Sequence, residues 1–192
     1  MCFHFKQFKS KEAFKANDLK GRPVKGIYNG FRHPFINVVT QESPKDLQYF
    51  MWGLIPSWAK DDDIKKYTLN ARKETLKTKP SFKNAKRCLI FADGFYEWKW
   101  LDKQGKKKQK YLIELPNSEL FSFAGLYDQW IDKQTGEIIN SCSIVTTEAK
   151  GIMREIHNSK MRMPLVIENN QMYDWLENRE TNLFYNFKTF EV

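Results

Sequence analysis

Long apolar runs are missing from this sequence. The longest stretch without a polar side chain is Tyr49 to Pro56, far short of the roughly 20 residues a membrane-spanning helix needs. No membrane segment is therefore expected. The start, Met1-Cys2-Phe3-His4-Phe5-Lys6, has no basic stretch leading into an apolar core, so a secretory signal is not expected either. Cysteine is scarce. Cys2, Cys88 and Cys142 are odd in number and lack Cys-x-x-Cys spacing, which suits neither a disulfide framework nor a zinc site. A reducing, cytoplasmic compartment follows as the simpler expectation. The three histidines, His4, His33 and His157, are scattered without His-x-x-x-His spacing, so no metal and no cofactor are expected. Acid is short relative to base: 23 Asp and Glu against 32 Lys and Arg, a net charge of +9. That excess favours a polyanionic partner, nucleic acid first, with general solubility as the competing reading.

What is present describes a folded chain. Hydrophobic residues make up 41% of the 192 and aromatic residues 15%, which excludes wholesale disorder. No repeat or low-complexity linker divides the chain, so residues 1–192 read as a single domain. Strands are expected at Cys88–Ala92, Tyr111–Leu115, Phe121–Phe123, Ser141–Thr147 and Met163–Ile167. Pro164 is tolerated at the start of its strand, where a missing N–H costs little. Residues 99–110 hold six lysines around Gly105 and read as a hairpin tip, and Asp61-Asp62-Asp63 with Lys65-Lys66 as a polar loop. Ala149, Ile152, Met153 and Ile156 recur at helical spacing, with Thr146 or Thr147 as N-cap. Met172, Trp175 and Leu176 form a second stripe capped by Asn169 or Asn170, and residues 10–17 a short N-terminal helix. Strands with interspersed helices and no βαβ rhythm give an α+β domain built on antiparallel sheet.

Several residues carry chemistry. Aminopeptidase removal of Met1 is expected before a residue as small as cysteine. It would leave Cys2 with a free amine beside its own thiol. Such an aminothiol condenses with an aldehyde to an imine, and the thiol then closes a thiazolidine ring. Unperturbed pKa values of about 8 for the amine and about 8.5 for the thiol keep both groups usable near neutral pH. Alternatively the thiolate attacks an acyl carbon, or Cys2 is an accident of the terminus. Glu97 stands among aromatic residues in Asp93-Gly94-Phe95-Tyr96-Glu97-Trp98, where desolvation would raise its pKa and suit it to proton transfer. A solvent-facing strand position is the structural alternative. Asp93 reads as the turn residue of Asp-Gly. His157 follows the amphipathic helix, and a helix C-terminus favours imidazolium, so it reads as an acid near neutral pH or simply as a cap. Asn70 can both donate and accept, and so orient a reacting group. Arg72, Arg87 and Arg162 can each fork onto a phosphate or pair on the surface. The aromatic segment Trp52 to Trp58, Leu54 included, can stack on bases or pack in the core. Core packing is the expectation for Trp58.

In combination these residues resemble the SRAP family (SOS response-associated peptidase). The resemblance rests on Cys2 after Met1, Trp52-Gly53-Leu54-Ile55-Pro56-Ser57-Trp58 and Asn70-Ala71-Arg72-Lys73-Glu74-Thr75. It continues through Arg87-Cys88-Leu89-Ile90 with Ala92 to Trp98, then Phe123 to Tyr127, and closes with Thr146-Thr147, His157 and Met161-Arg162-Met163-Pro164. It implies a mostly antiparallel, barrel-like β core with peripheral helices, and a basic groove for single-stranded DNA. It further implies that the mature Cys2 captures the aldehyde of an abasic site as a thiazolidine crosslink that shields the lesion. Asn70 would orient the sugar or the amine. Glu97 would assist proton transfer, and His157 would protonate the sugar oxygen. Arg72 and Arg162 would hold phosphates, and Trp52 and Leu54 would lie near unstacked bases. A cytoplasmic, nucleoid-associated monomer is implied. The chain departs from the family pattern at Phe3-His4, where Gly-Arg is usual, and at Phe91, where proline is usual. An extra Ser159-Lys160 after His157 is expected to shift Arg162. A thiol peptidase acting on Met1 and a non-catalytic single-strand binder are the competing functions.

Overall fold

The computed structural model describes residues 1–192, with thirteen strands and three short α-helices. The strands are β1 (His4–Gln7), β2 (Gly26–Asn29), β3 (Phe35–Thr40), β4 (Gln48–Trp52), β5 (Asn70–Arg72), β6 (Lys86–Ala92) and β7 (Gly94–Trp100). There follow β8 (Lys108–Glu114), β9 (Phe121–Ile131), β10 (Ile138–Glu148), β11 (Arg162–Pro164), β12 (Val166–Ile167) and β13 (Lys188–Glu191). The helices are α1 (Lys11–Ala16), α2 (Met153–Ile156) and α3 (Met172–Leu176).

Five strands close on themselves. β4 pairs β3, β3 pairs β6, β6 pairs β9 and β9 pairs β10, all antiparallel, and a parallel β10–β4 pairing shuts the ring. Such closure removes open edges. β5 adds to β10 in parallel, so the barrel is mixed at this seam and antiparallel elsewhere. A second, antiparallel sheet runs β13-β8-β7-β1-β2.

Alternation decides what each face buries. Ile36, Val38, Trp52, Ile90, Phe123 and Ile144 come from all five ring strands and share one cluster with Phe5 and Phe95 of the second sheet. Aromatic contacts join the layers, Phe5 to Trp52 at 5.3 Å and Phe95 to Phe123 at 5.8 Å between centroids. The opposite faces, with Val39, Leu89, Phe91 and Leu126, are covered by Phe14 of α1 and by Met172, Trp175 and Leu176 of α3. Phe91 is 1% exposed and meets Phe14 edge-on at 5.3 Å, so the bulkier residue in place of proline is a core contact. Gly125 lets β9 close on β6, because a Cβ there would lie 2.7 Å from the Cys88 sulfur.

Several local expectations change. The strand at 163–167 splits at Leu165, whose N–H donates to Val145 and whose carbonyl accepts from Ala124, so it bridges β10 and β9. The helix at 149–156 shortens to α2, with Ile152 at its N-cap. Thr146 and Thr147 are instead paired in β10 with Pro164 and Met163. α3 begins after Gln171, and Asn169 lies in a preceding 3-10 turn. The acidic loop contains a 3-10 helix, Asp63–Tyr67. Asp93 is not a simple turn residue. It is buried where the chain passes from barrel to second sheet, accepts from the Phe8 N–H at 2.7 Å and pairs with Lys6 at 3.1 Å. The hairpin tip is as expected, with Gly105 at φ +68° between β7 and β8. No helix is long and apolar enough to cross a membrane.

Candidate active site and nucleic-acid interface

The chain start runs into the seam between barrel and second sheet. The Phe3 carbonyl accepts from the Gly30 N–H at 2.9 Å, and the Asn70 side-chain amide donates to the Cys2 carbonyl at 2.9 Å. Asn70 opens β5, which its parallel register with Ile144 to Thr146 fixes against β10. Glu97 sits in β7, and His157 caps α2. The fold thus brings Cys2, Asn70, Glu97 and His157 together from four separate segments.

The α-ammonium of Met1 occupies the centre. It lies 3.2 Å from Nδ1 and 3.3 Å from Nε2 of His157, and 3.6 Å from Oε1 of Glu97. The last separation makes an ion pair but is too long for a hydrogen bond. Accordingly Glu97 Oε1 has no hydrogen-bond partner although it is buried, and the same holds for Asn70 Oδ1 and Arg162 Nε. Orphaned buried polar atoms are uncommon and ask for an explanation, such as a missing ligand. No group of three or more His, Cys, Asp or Glu side chains is placed to hold a metal ion.

Burial sets the charges. Desolvation raises Glu97 to about 7, against the pull of the nearby ammonium. His157 falls to about 4, first through desolvation and then through the same ammonium. This overturns the expectation of an imidazolium at a helix end: α2 is one turn long, and its dipole is outweighed by burial. Nδ1 lies 2.6 Å from the Arg162 carbonyl. Placing the ring proton there leaves Nε2 as a bare acceptor facing the ammonium and Glu97 Oε2, 3.8 Å away. The Cys2 thiol is fully buried and pushed well up by desolvation and by Glu97, so it is protonated.

The expected DNA contacts divide. Arg72 is exposed two residues beyond Asn70 on the same face of β5. The extra residues after His157 form a turn with Met161 at φ +50° that returns Arg162 beside His157. Asn158 fastens this turn through two bonds to the Trp100 backbone, at 3.0 and 2.9 Å. Arg162 is already engaged, forking onto Glu74 at 2.9 Å twice and donating to the Thr146 carbonyl at 2.7 Å. Arg87 lies away from the chain start, its guanidinium stacked 3.9 Å over Trp175. Trp52 and Leu54 have no exposed surface, and the Trp52 N–H donates to the Leu69 carbonyl. Neither presents a face to a base. Trp58, expected in the core, is 54% exposed and lies in a turn after Pro56. Sequence reasoning also missed Glu74, whose arginine partner is 88 residues away, and the stack of Phe3 on exposed Phe31 at 4.8 Å. No local pattern signals either one.

Comparison with known proteins places the chain in a family. The profile of the SOS response associated peptidase (SRAP) family matches residues 1–187. The chain belongs to the SRAP family. It is 40% identical over 153 residues to the abasic site processing protein YoqW of Bacillus subtilis, a match covering 78% of this chain and 66% of that protein. It is 32% identical over 161 residues to the abasic site processing protein HMCES of Gallus gallus, covering 70% of this chain and 46% of that one. The match thus spans slightly under two thirds of the bacterial relative and under half of the chicken one. A crystal structure of a Bacteroides thetaiotaomicron protein superposes with a TM-score of 0.88 at 30% identity, over 100% of this chain and 92% of that one.

Proposed function

We propose that this SRAP chain processes abasic sites in single-stranded DNA by a covalent crosslink through Cys2, once Met1 has been removed. One observation carries the reading: the α-amine at the chain start lies beside His157 and Glu97, Asn70 holds the adjoining Cys2 carbonyl, and Glu97 Oε1 and Asn70 Oδ1 are buried without hydrogen-bond partners. Removing Met1 leaves the Cys2 amine next to this set. The amine nitrogen adds to the aldehyde carbon of the ring-opened sugar. His157, neutral at neutral pH, accepts the proton the amine sheds. Glu97, poised near 7, donates a proton to the departing water as the imine forms. The Cys2 sulfur then adds to the imine carbon, its proton passes to the nitrogen, and the thiazolidine closes with one water lost overall. Asn70 orients Cys2 through its carbonyl. Arg72 holds a phosphate, and Arg162 does so when it lets go of Glu74. The names of YoqW and HMCES support abasic-site processing.

The chain acts as a monomer, and its uncombined thiols fit a reducing compartment. The thiol-peptidase reading needs a thiolate, and the burial that keeps Cys2 protonated weighs against it. Incubating the Met1-free chain with abasic single-stranded DNA should give a denaturant-resistant shifted band that Cys2→Ala abolishes. A band that persists in Cys2→Ala would overturn the reading.

A further inference from the structure

A second basic region lies on the far side of Glu74 from His157. Between Lys73–Thr75, the turns at 76–85, β6 and α3 is a cleft of about 640 Å³. Its apolar lining includes Leu76, Phe82 and Trp175. Its walls carry Lys73, Lys77, Lys83, Lys86 and Arg87 against one carboxylate, Glu74, which is held by Arg162. Lys86 is paired with Glu42, but Lys73, Lys77, Lys83 and Arg87 have no carboxylate within ion-pair distance.

Arg87 is the informative member. It is half-buried in the cleft lining, its guanidinium carbon lies 3.9 Å from the centroid of the Trp175 ring, and Nη1 donates to the Trp175 carbonyl at 3.0 Å. This guanidinium has no carboxylate partner, and Nη1 is its one hydrogen-bonded donor, so its remaining donors are uncommitted. A flat, pre-organised fork suits phosphate oxygens. The apolar lining suits the sugar edge of a strand. The wall is continuous with the chain start through Glu74, Arg162 and the bonds between Arg162 and His157.

We propose that this cleft binds the sugar-phosphate backbone of single-stranded DNA several nucleotides from the lesion, as an extension of the same binding track. The proposal rests on the function proposed above for its ligand class. Its test uses unmodified DNA and so does not depend on the crosslink.

Anisotropy of labelled oligothymidylates of about 4 and about 12 nucleotides, lengths within the range of single-strand site sizes, gives Kd as a function of salt. The variant Lys77→Ala/Lys83→Ala removes two exposed charges, so its fold should survive. For the longer strand its Kd should rise and its salt slope should drop by about 0.7 for each phosphate no longer neutralised, while the short strand is unaffected. Lys106→Ala/Lys107→Ala, an equal charge change on the hairpin tip, should leave both strands unaffected. An unchanged salt slope for Lys77→Ala/Lys83→Ala, an equal loss for the short strand, or an equal loss in the hairpin variant overturns the proposal. Displacement of the long strand by polyglutamate of equal charge in wild type but not in Lys77→Ala/Lys83→Ala assigns the cleft to acidic peptide and overturns it too. Absence of any crosslink with abasic DNA, with the length-dependent weakening intact, removes the covalent function and leaves the cleft standing.

Discussion

Glu97 and His157 are both buried, and burial acts on them with opposite sign because it penalises whichever form is charged. Glu97 rises from its ordinary 4.5 to about 7. The stability its protonated form contributes is present below about 4.5 and lost as pH climbs through about 7. His157 drops from 6.5 to about 4. Its contribution is present above about 6.5 and lost as pH falls through about 4. Between 4.5 and 6.5 the two slopes oppose each other. In Glu97→Gln only the histidine remains, so urea-derived stability should rise between pH 4 and 6.5, where wild type is nearly flat. A flat profile in that variant would contradict the burial argument. The same substitution should slow crosslinking about a hundredfold, in line with loss of one positioned proton donor, and should remove the fall in wild-type rate above pH 7. Glu74→Gln frees Arg162, and Kd for a single-stranded oligonucleotide should tighten about two- to fivefold, since a half-exposed ion pair holds up to about 1 kcal/mol. The sequence made Cys2 and Glu97 readable, one by its position and one by its aromatic neighbours. It could not make the charge of His157 readable, because that depends first on how deeply the fold buries the ring and then on an ammonium brought to it from 156 residues away.

The segment Trp52 to Trp58 separates packing from display. Trp52→Ala empties a site with no exposure and removes one of the two donors to the Leu69 carbonyl, the other being the Ile144 N–H. It should cost about 3–5 kcal/mol in chemical denaturation. Trp58→Ala touches a ring that is 54% exposed and should leave stability within about 0.5 kcal/mol of wild type. Between them, Gly53 has φ +124°, and a Cβ there would come within 2.6 Å of His33 Nδ1 and 2.9 Å of the Lys65 carbonyl. Gly53→Ala should therefore lower stability by more than about 1 kcal/mol, seen as a Tm drop of at least about 2–4 °C in a chain of this size. Alternation in the sequence pointed to the strands at β6, β8 and β10. Their extents were underestimated because polar residues such as Lys86, Arg87 and Asn140 continue the ladders past the apolar runs. The split at Leu165 was hidden because a residue that serves two neighbouring strands looks locally like any other apolar residue.

At the scale of the whole molecule, an unbroken composition made one domain readable. The barrel-like core was expected from the family resemblance and is observed, but the parallel β10–β4 seam that shuts it joins Cys142 to Trp52, 90 positions apart, in a sense that no local pattern encodes. Pairing segments this distant is slow, and refolding on the millisecond-to-second scale is expected by stopped-flow fluorescence. Cys2, Cys88 and Cys142, for their part, have no exposed surface at all. A disulfide dye added to the native protein should therefore stay colourless, and all three sulfurs should react only after denaturant. Slow colour from one sulfur before unfolding would time the peeling of the first residues from their seat, a motion that the proposed capture of an aldehyde at Cys2 requires.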